Sequence, residues 1–125
     1  MTVARSLSLI AALHCVFIAG AAAAQSAADG ATMFKQQCQA CHVSTKDAHP
    51  TLAPSLYGIV GRKAASSAFA NYSPALKGSG LVWSEANLDR FLTAPTKLVP
   101  GTRMVIAVPD AARRAAVIAY LKSLK

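Results

Sequence analysis

Apolar residues recur at helical spacing in three separate stretches of this chain, and no stretch of useful length alternates as a strand would. Gly30, Met33, Phe34 and Gln37 keep the i, i+3, i+4, i+7 spacing of one helical face, with Asp29 placed to cap a helix beginning at Gly30. Leu88, Phe91 and Leu92 share a face behind a capping Ser84, until Ala94-Pro95 stops the run. Pro109-Asp110 opens the last helix, in which Val117, Tyr120, Leu121 and Leu124 repeat the same spacing. Between the first two helices, Ser44, Thr45, Asp47, Pro50, Pro54, Gly58 and Gly61 predict loop. Residues 63–80 mix polarities around Pro74 and a Gly78-Ser79-Gly80 turn, with room for one short helix. Pro100-Gly101 marks the loop that carries Met104. The fold class expected is all-α, with long loops.

The start of the chain reads differently. Arg5 precedes an apolar run from Leu7 to about Gly20, followed by Ala21-Ala22-Ala23-Ala24-Gln25. That is the pattern of a secretory signal, with cleavage placed after Ala24. The run is shorter than the roughly 20 residues a spanning helix needs, so a retained anchor is disfavoured. Cys15 lies within this run and is lost with it. Removing 24 of 125 residues leaves one domain of 101, spanning 25–125. So short a chain is poorly supplied with core and suits folding around a large apolar cofactor.

Export implies an oxidising compartment such as a bacterial periplasm. Only Cys38 and Cys41 remain there, too few for a disulfide framework. The whole chain carries a formal +8, and without Arg5 its 12 basic and 5 acidic residues leave +7. A field of that sign attracts nucleic acid, anionic membrane or acidic proteins. Nucleic acid fits poorly, because the basic residues are scattered and the aromatics fall at core positions. An acidic protein partner fits better.

Chemistry enters at Cys38-Gln39-Ala40-Cys41-His42. Two thiols three residues apart fall on one face of a helical turn. There they can add across the vinyl groups of a haem, while the next residue offers an imidazole to the iron. A second imidazole nitrogen needs an acceptor to set tautomer and ring plane, and the Pro54 carbonyl, twelve residues on, is the candidate. Met104, behind Pro100-Gly101-Thr102-Arg103, supplies a thioether for the opposite side. Iron ligated on both sides keeps no open position for substrate and is left with electron transfer; the soft sulfur favours its reduced form. A thioredoxin-like disulfide would need a strand-helix-strand setting, which is missing. Zinc bound by Cys38, Cys41, His42 and His49 is opposed by the divergent directions of the adjacent Cys41 and His42. Met33 is ordinary core filling, and His49 an ordinary loop residue.

At these residues the chain resembles class I cytochromes c of the mitochondrial and bacterial c2 type, over residues 29–125. The matching blocks are Cys38-Gln39-Ala40-Cys41-His42, Ala53-Pro54-Ser55-Leu56-Tyr57-Gly58, Gly61-Arg62-Lys63, Tyr72, Trp83, Pro100-Gly101-Thr102-Arg103-Met104 and Ile118-Ala119-Tyr120-Leu121-Lys122. The resemblance implies a last helix that crosses the first, with Gly30 and Phe34 packed against Val117 and Tyr120. It also implies that Pro54 accepts from His42 and that Arg62, Tyr72 and Trp83 hold the haem propionates. In an arbitrary protein Trp83 would be core filling and Arg62 a solvated charge, but carboxylates taken out of water need donors or cations. Three departures stand out. Ala53 replaces a usual glycine, Phe91 a common tyrosine that donates to the methionine sulfur, and Leu76 a frequent asparagine. The distal side is therefore expected to be drier. Of the family's lysine docking ring, Lys97 and Arg103 remain, whereas Gln37, Thr51 and Thr96 are neutral.

The expectation is an exported, soluble, monomeric electron carrier with one covalent haem c per chain and no stable membrane insertion after processing. Cys38 and Cys41 attach the haem, and His42 and Met104 ligate the iron. No catalytic nucleophile, acid or base is apparent, so the chain is not read as an enzyme. It would shuttle between a quinol-oxidising complex and a terminal oxidase or reaction centre. The alternative makes it the electron-accepting subunit of a periplasmic dehydrogenase or sulfur-oxidising complex. A peroxidase-like reading would require an open iron position.

Overall fold

In the computed structural model, residues 26–50 and 52–125 are described. The expected leader with its expected cleavage after Ala24, Cys15 and Thr51 lie outside the described residues. Residues 26–37 form α1, and Ala111–Ser123 form α5. The two cross where Gly30 has no side chain: a Cβ there would lie 1.9 Å from the Ala116 carbonyl oxygen and 2.8 Å from Tyr120 Cβ. Backbone therefore meets backbone at this point. One turn on, Phe34 is buried and sets its ring at 5.4 Å from that of Tyr120, tilted by 52°. Val117, Ile118 and Leu121 complete the same core cluster.

One expectation at this crossing is corrected. Asp29 does not cap α1, because the helix already runs through residue 26. Ala27 and Ala28, strong helix formers, carry it past the position where the cap was expected.

The shorter helices follow their punctuation. Pro74–Gly78 form α2 behind Ser73, whose hydroxyl accepts from the Leu76 amide, with Pro74 in the first turn. Gly78 is the last residue of α2 rather than part of the following turn. Glu85–Thr93 form α3, capped by Ser84 on the Asn87 amide, with Leu88, Phe91 and Leu92 buried. Ala94 is extended at φ −158°, and Pro95 then begins the single turn α4, Pro95–Leu98. Asp110 caps α5 by accepting from the Arg113 amide. Two ion pairs join α3 to α5: Asp89 with Arg114, and Glu85 with Lys122.

The long loop after α1 is laid over the core by a few backbone bonds. Gly61 N–H donates to Trp83 O at 2.9 Å, Trp83 N–H to Arg62 O at 2.9 Å, and Ala64 N–H to Leu81 O at 2.8 Å. These flank an isolated antiparallel bridge between Lys63 and Val82. No strand longer than that occurs among the described residues, and the fold is all-α. Among the same residues, no helix is long and apolar enough to cross a membrane.

Candidate haem site

The end of α1 delivers the cysteines. Cys38 N–H donates to Phe34 O at 2.8 Å, and His42 N–H and Cys41 N–H return to Cys38 O at 2.9 and 3.1 Å. Helical turning thus continues through the motif, leaving Cys38 half-buried and Cys41 exposed. Neither sulfur is in a disulfide, and burial pushes the Cys38 thiol up from its ordinary pKa.

His42 is half-buried, and its Nδ1 lies 2.8 Å from the Pro54 carbonyl oxygen. A carbonyl can only accept, so Nδ1 carries the proton and Nε2 keeps its lone pair. Burial lowers the His42 pKa, with the Pro54 bond opposing in part. Burial favours the neutral imidazole, and the Pro54 bond fixes which nitrogen keeps its lone pair, which is what an iron ligand requires. The segment behind Pro54 is held by Leu56 N–H on Val43 O at 2.9 Å. Ala53 takes no left-handed conformation; Ala65, at φ 56°, is the non-glycine residue that does among the described residues.

Met104 is half-buried against the core, as are Cys38, Leu56, Leu76, Leu81 and Leu98. Its approach is tightly specified. Gly101, at φ +89°, turns the chain next to Ala75, and a Cβ there would come within 3.2 Å of the Ala75 side chain. Thr102 N–H donates to Val99 O at 3.0 Å, and Arg103 reaches Asn71 O at 2.6 Å.

The three residues expected around the propionates have different settings. Trp83 is 6% exposed and meets Phe91 edge-on at 5.0 Å. No acceptor within the described residues takes its ring N–H. Since no fully enclosed polar side-chain atom is left unpartnered among those residues, that N–H reaches accessible space. Tyr72 is buried, with its hydroxyl on Ser67 and its ring edge-on to Phe69. Arg62 is not a solvated charge. It donates to Tyr57 O at 3.0 Å and Ser55 O at 2.8 Å, clamping the loop beside Pro54 while keeping further N–H groups free to donate. His49 is exposed on its loop.

Sequence reasoning passed over Arg114. It falls at helical spacing with Val117, Ile118 and Leu121, and a basic residue on an otherwise apolar face was the signal available. It is buried, paired with Asp89, and donates to the carbonyls of Val108 and Pro109.

A paired thiol motif, an anchored imidazole, a thioether on a shaped loop and a buried indole with an open donor fit a covalently held haem. When bound, that group supplies a reversible one-electron iron couple. The fold and these residues define a c-type haem protein.

The family profile described as "Cytochrome c" matches residues 27–125. Cytochrome c of Tetrahymena pyriformis is 48% identical over 99 residues, covering 78% of this chain and 88% of the relative. Cytochrome c2 of Rhodomicrobium vannielii is 44% identical over 107 residues, 85% of each chain. The solved structure of cytochrome cH from Methylobacterium extorquens superposes with a TM-score of 0.70 at 42% identity, covering 78% of this chain and 97% of that one. The chain belongs to the cytochrome c family, carries one covalently bound haem c, and is an electron carrier.

Proposed function

We propose that this chain is an exported, monomeric, single-electron carrier, freed of residues 1–24 and working in a bacterial periplasm. Cys38 and Cys41 form the thioethers, His42 and Met104 are the axial ligands, and Arg62, Tyr72 and Trp83 surround the propionates. The observation that carries the reading is the 2.8 Å contact between His42 Nδ1 and Pro54 O, one residue beyond Cys41. It keeps the proton on Nδ1 and leaves the lone pair of Nε2 available to a metal. Held by His42 and Met104, the iron would offer substrate no position, which supports a non-enzymatic role.

The partners proposed are a quinol-oxidising complex as donor and a terminal oxidase or reaction centre as acceptor, each docking through an acidic face. Directly after Met104, Val105 and Ile106 are exposed at 65% and 62%, with exposed Arg103 and Lys97 nearby in sequence. A small apolar centre beside basic groups suits a transient encounter steered by charge. The deciding experiment is a visible spectrum of the secreted protein together with its intact mass. Expected are a bound haem, a sulfur-to-iron charge-transfer band and a chain starting at Gln25. Colourless material, or a spectrum without that band, overturns the site assignment.

A further inference from the structure

Arg114 is the charged residue buried among the described residues. Its Nε donates to Asp89 Oδ1 on α3 at 2.8 Å, and its Nη1 to Val108 O at 3.0 Å and Pro109 O at 2.7 Å. Val108 is held on its other side too, since its amide donates to Leu92 O at 2.7 Å. Both peptide groups of this residue are therefore fastened, one to α3 and one to Arg114. Upstream, the turn at Val99–Thr102 is closed by Thr102 N–H on Val99 O.

Between these anchors lie residues 103–107, which make no backbone-to-backbone hydrogen bond. Met104 is half-buried within this span, and its neighbours are exposed. Arg103 is tied by its side chain to Asn71 O at 2.6 Å and Met104 rests on the core, so beyond Met104 the span takes its position from its C-terminal anchor at Val108. We propose that Arg114 is a positioning residue for Met104: by fixing Val108 and Pro109 it holds the Met104 span closed and keeps foreign ligands from the sixth iron position. This rests on Met104 being the axial ligand. An arginine suits the task because its planar fork serves several acceptors at once. Lysine has three N–H donors but all on one nitrogen, so it cannot reach Asp89 and both carbonyls from separate points as the guanidinium does.

The test is titration of the oxidised, haem-loaded protein with imidazole, followed by loss of the sulfur-to-iron band. Charge-assisted bonds of this kind correspond to about a ten- to hundredfold change in an equilibrium. Arg114→Met should bind imidazole about ten- to hundredfold more tightly than wild type, and Arg114→Lys about tenfold, since an ammonium keeps only part of the three bonds. Asp89→Ala, which leaves the carbonyl contacts in place, should give an increase of a few-fold. Lys122→Gln breaks the other α3–α5 ion pair without touching the span, and should change nothing.

If Arg114→Met fails to hold haem, Arg114→Lys and Asp89→Ala decide. Affinities within about twofold of wild type for both Arg114→Lys and Asp89→Ala overturn the proposal. So does an equal gain in Lys122→Gln, or in Val117→Ala, a core variant away from the span. A wild-type protein lacking the band would instead refute the Met104 assignment, a separate failure visible before any variant is made.

Discussion

Replacing Gly30 with alanine tests the helix crossing on which the fold turns. In an exposed helix this change stabilises by about 1 kcal/mol, because alanine is the better helix former. At this crossing the new Cβ would sit 1.9 Å from the Ala116 carbonyl oxygen and 2.6 Å from its carbon. Reaching even 3.0 Å demands that the helices part by 1.1 Å, and the obstacle is backbone rather than a flexible side chain. Separation on that scale loosens Phe34, Val117 and Tyr120 together. Overpacking of this kind costs about 1–3 kcal/mol or more, and the rigid obstacle argues for a net loss near 3 kcal/mol. For a domain of this size that is about 12–24 °C in Tm. The assay is thermal unfolding of the haem-loaded protein by circular dichroism, with Gly78→Ala as reference. Gly78 ends α2 with nothing within 4 Å of a Cβ, so its variant should be neutral or slightly more stable. A Gly30→Ala protein melting within about 2 °C of wild type would refute the close crossing.

Further expectations concern ligation and docking. Burial lowers the His42 pKa below the ordinary 6.5, and ligation to iron would likewise hold the folded imidazole unprotonated at its second nitrogen, so an unfolded, released chain takes up this proton first. This contribution to stability is complete above about pH 6.5 and declines as pH falls below it, by at most about 1.4 kcal/mol per unit. Guanidinium midpoints measured between about pH 8 and 5 should fall accordingly, and a rise on acidification would contradict the assignment. Phe91→Tyr introduces a hydroxyl beside Trp83; it should shift the midpoint potential or the alkaline ligand exchange, and no change in either counts against its place on the distal side. If the hydroxyl finds no acceptor, the variant should lose about 1–3 kcal/mol in denaturant unfolding. Ile106→Ser should slow second-order electron transfer to an acidic partner with its salt slope preserved, whereas Lys97→Glu should flatten that slope. Wild-type rates independent of ionic strength would remove the electrostatic part of the docking proposal.

What the amino-acid sequence by itself determined was local chemistry. Cys38, Cys41 and His42 announce their role within five residues, and Ser73, Ser84 and Asp110 cap the helices behind them because a cap needs only its own next turn. Pro95 separates α3 from α4 for the same reason. Even there, Asp29 misled, since a capping residue cannot stop a helix that the alanines before it already sustain. Tertiary structure decided where distant donors find acceptors. It turned Arg62 inward onto Ser55 and Tyr57 and set Trp83 edge-on against Phe91. It also fastened Arg114 across α3 and the Met104 span. A hydrogen bond or a steric contact is settled by positions a few ångströms apart, and residues such as Asp89 and Arg114, or Gly30 and Ala116, acquire such positions only once the helices have packed.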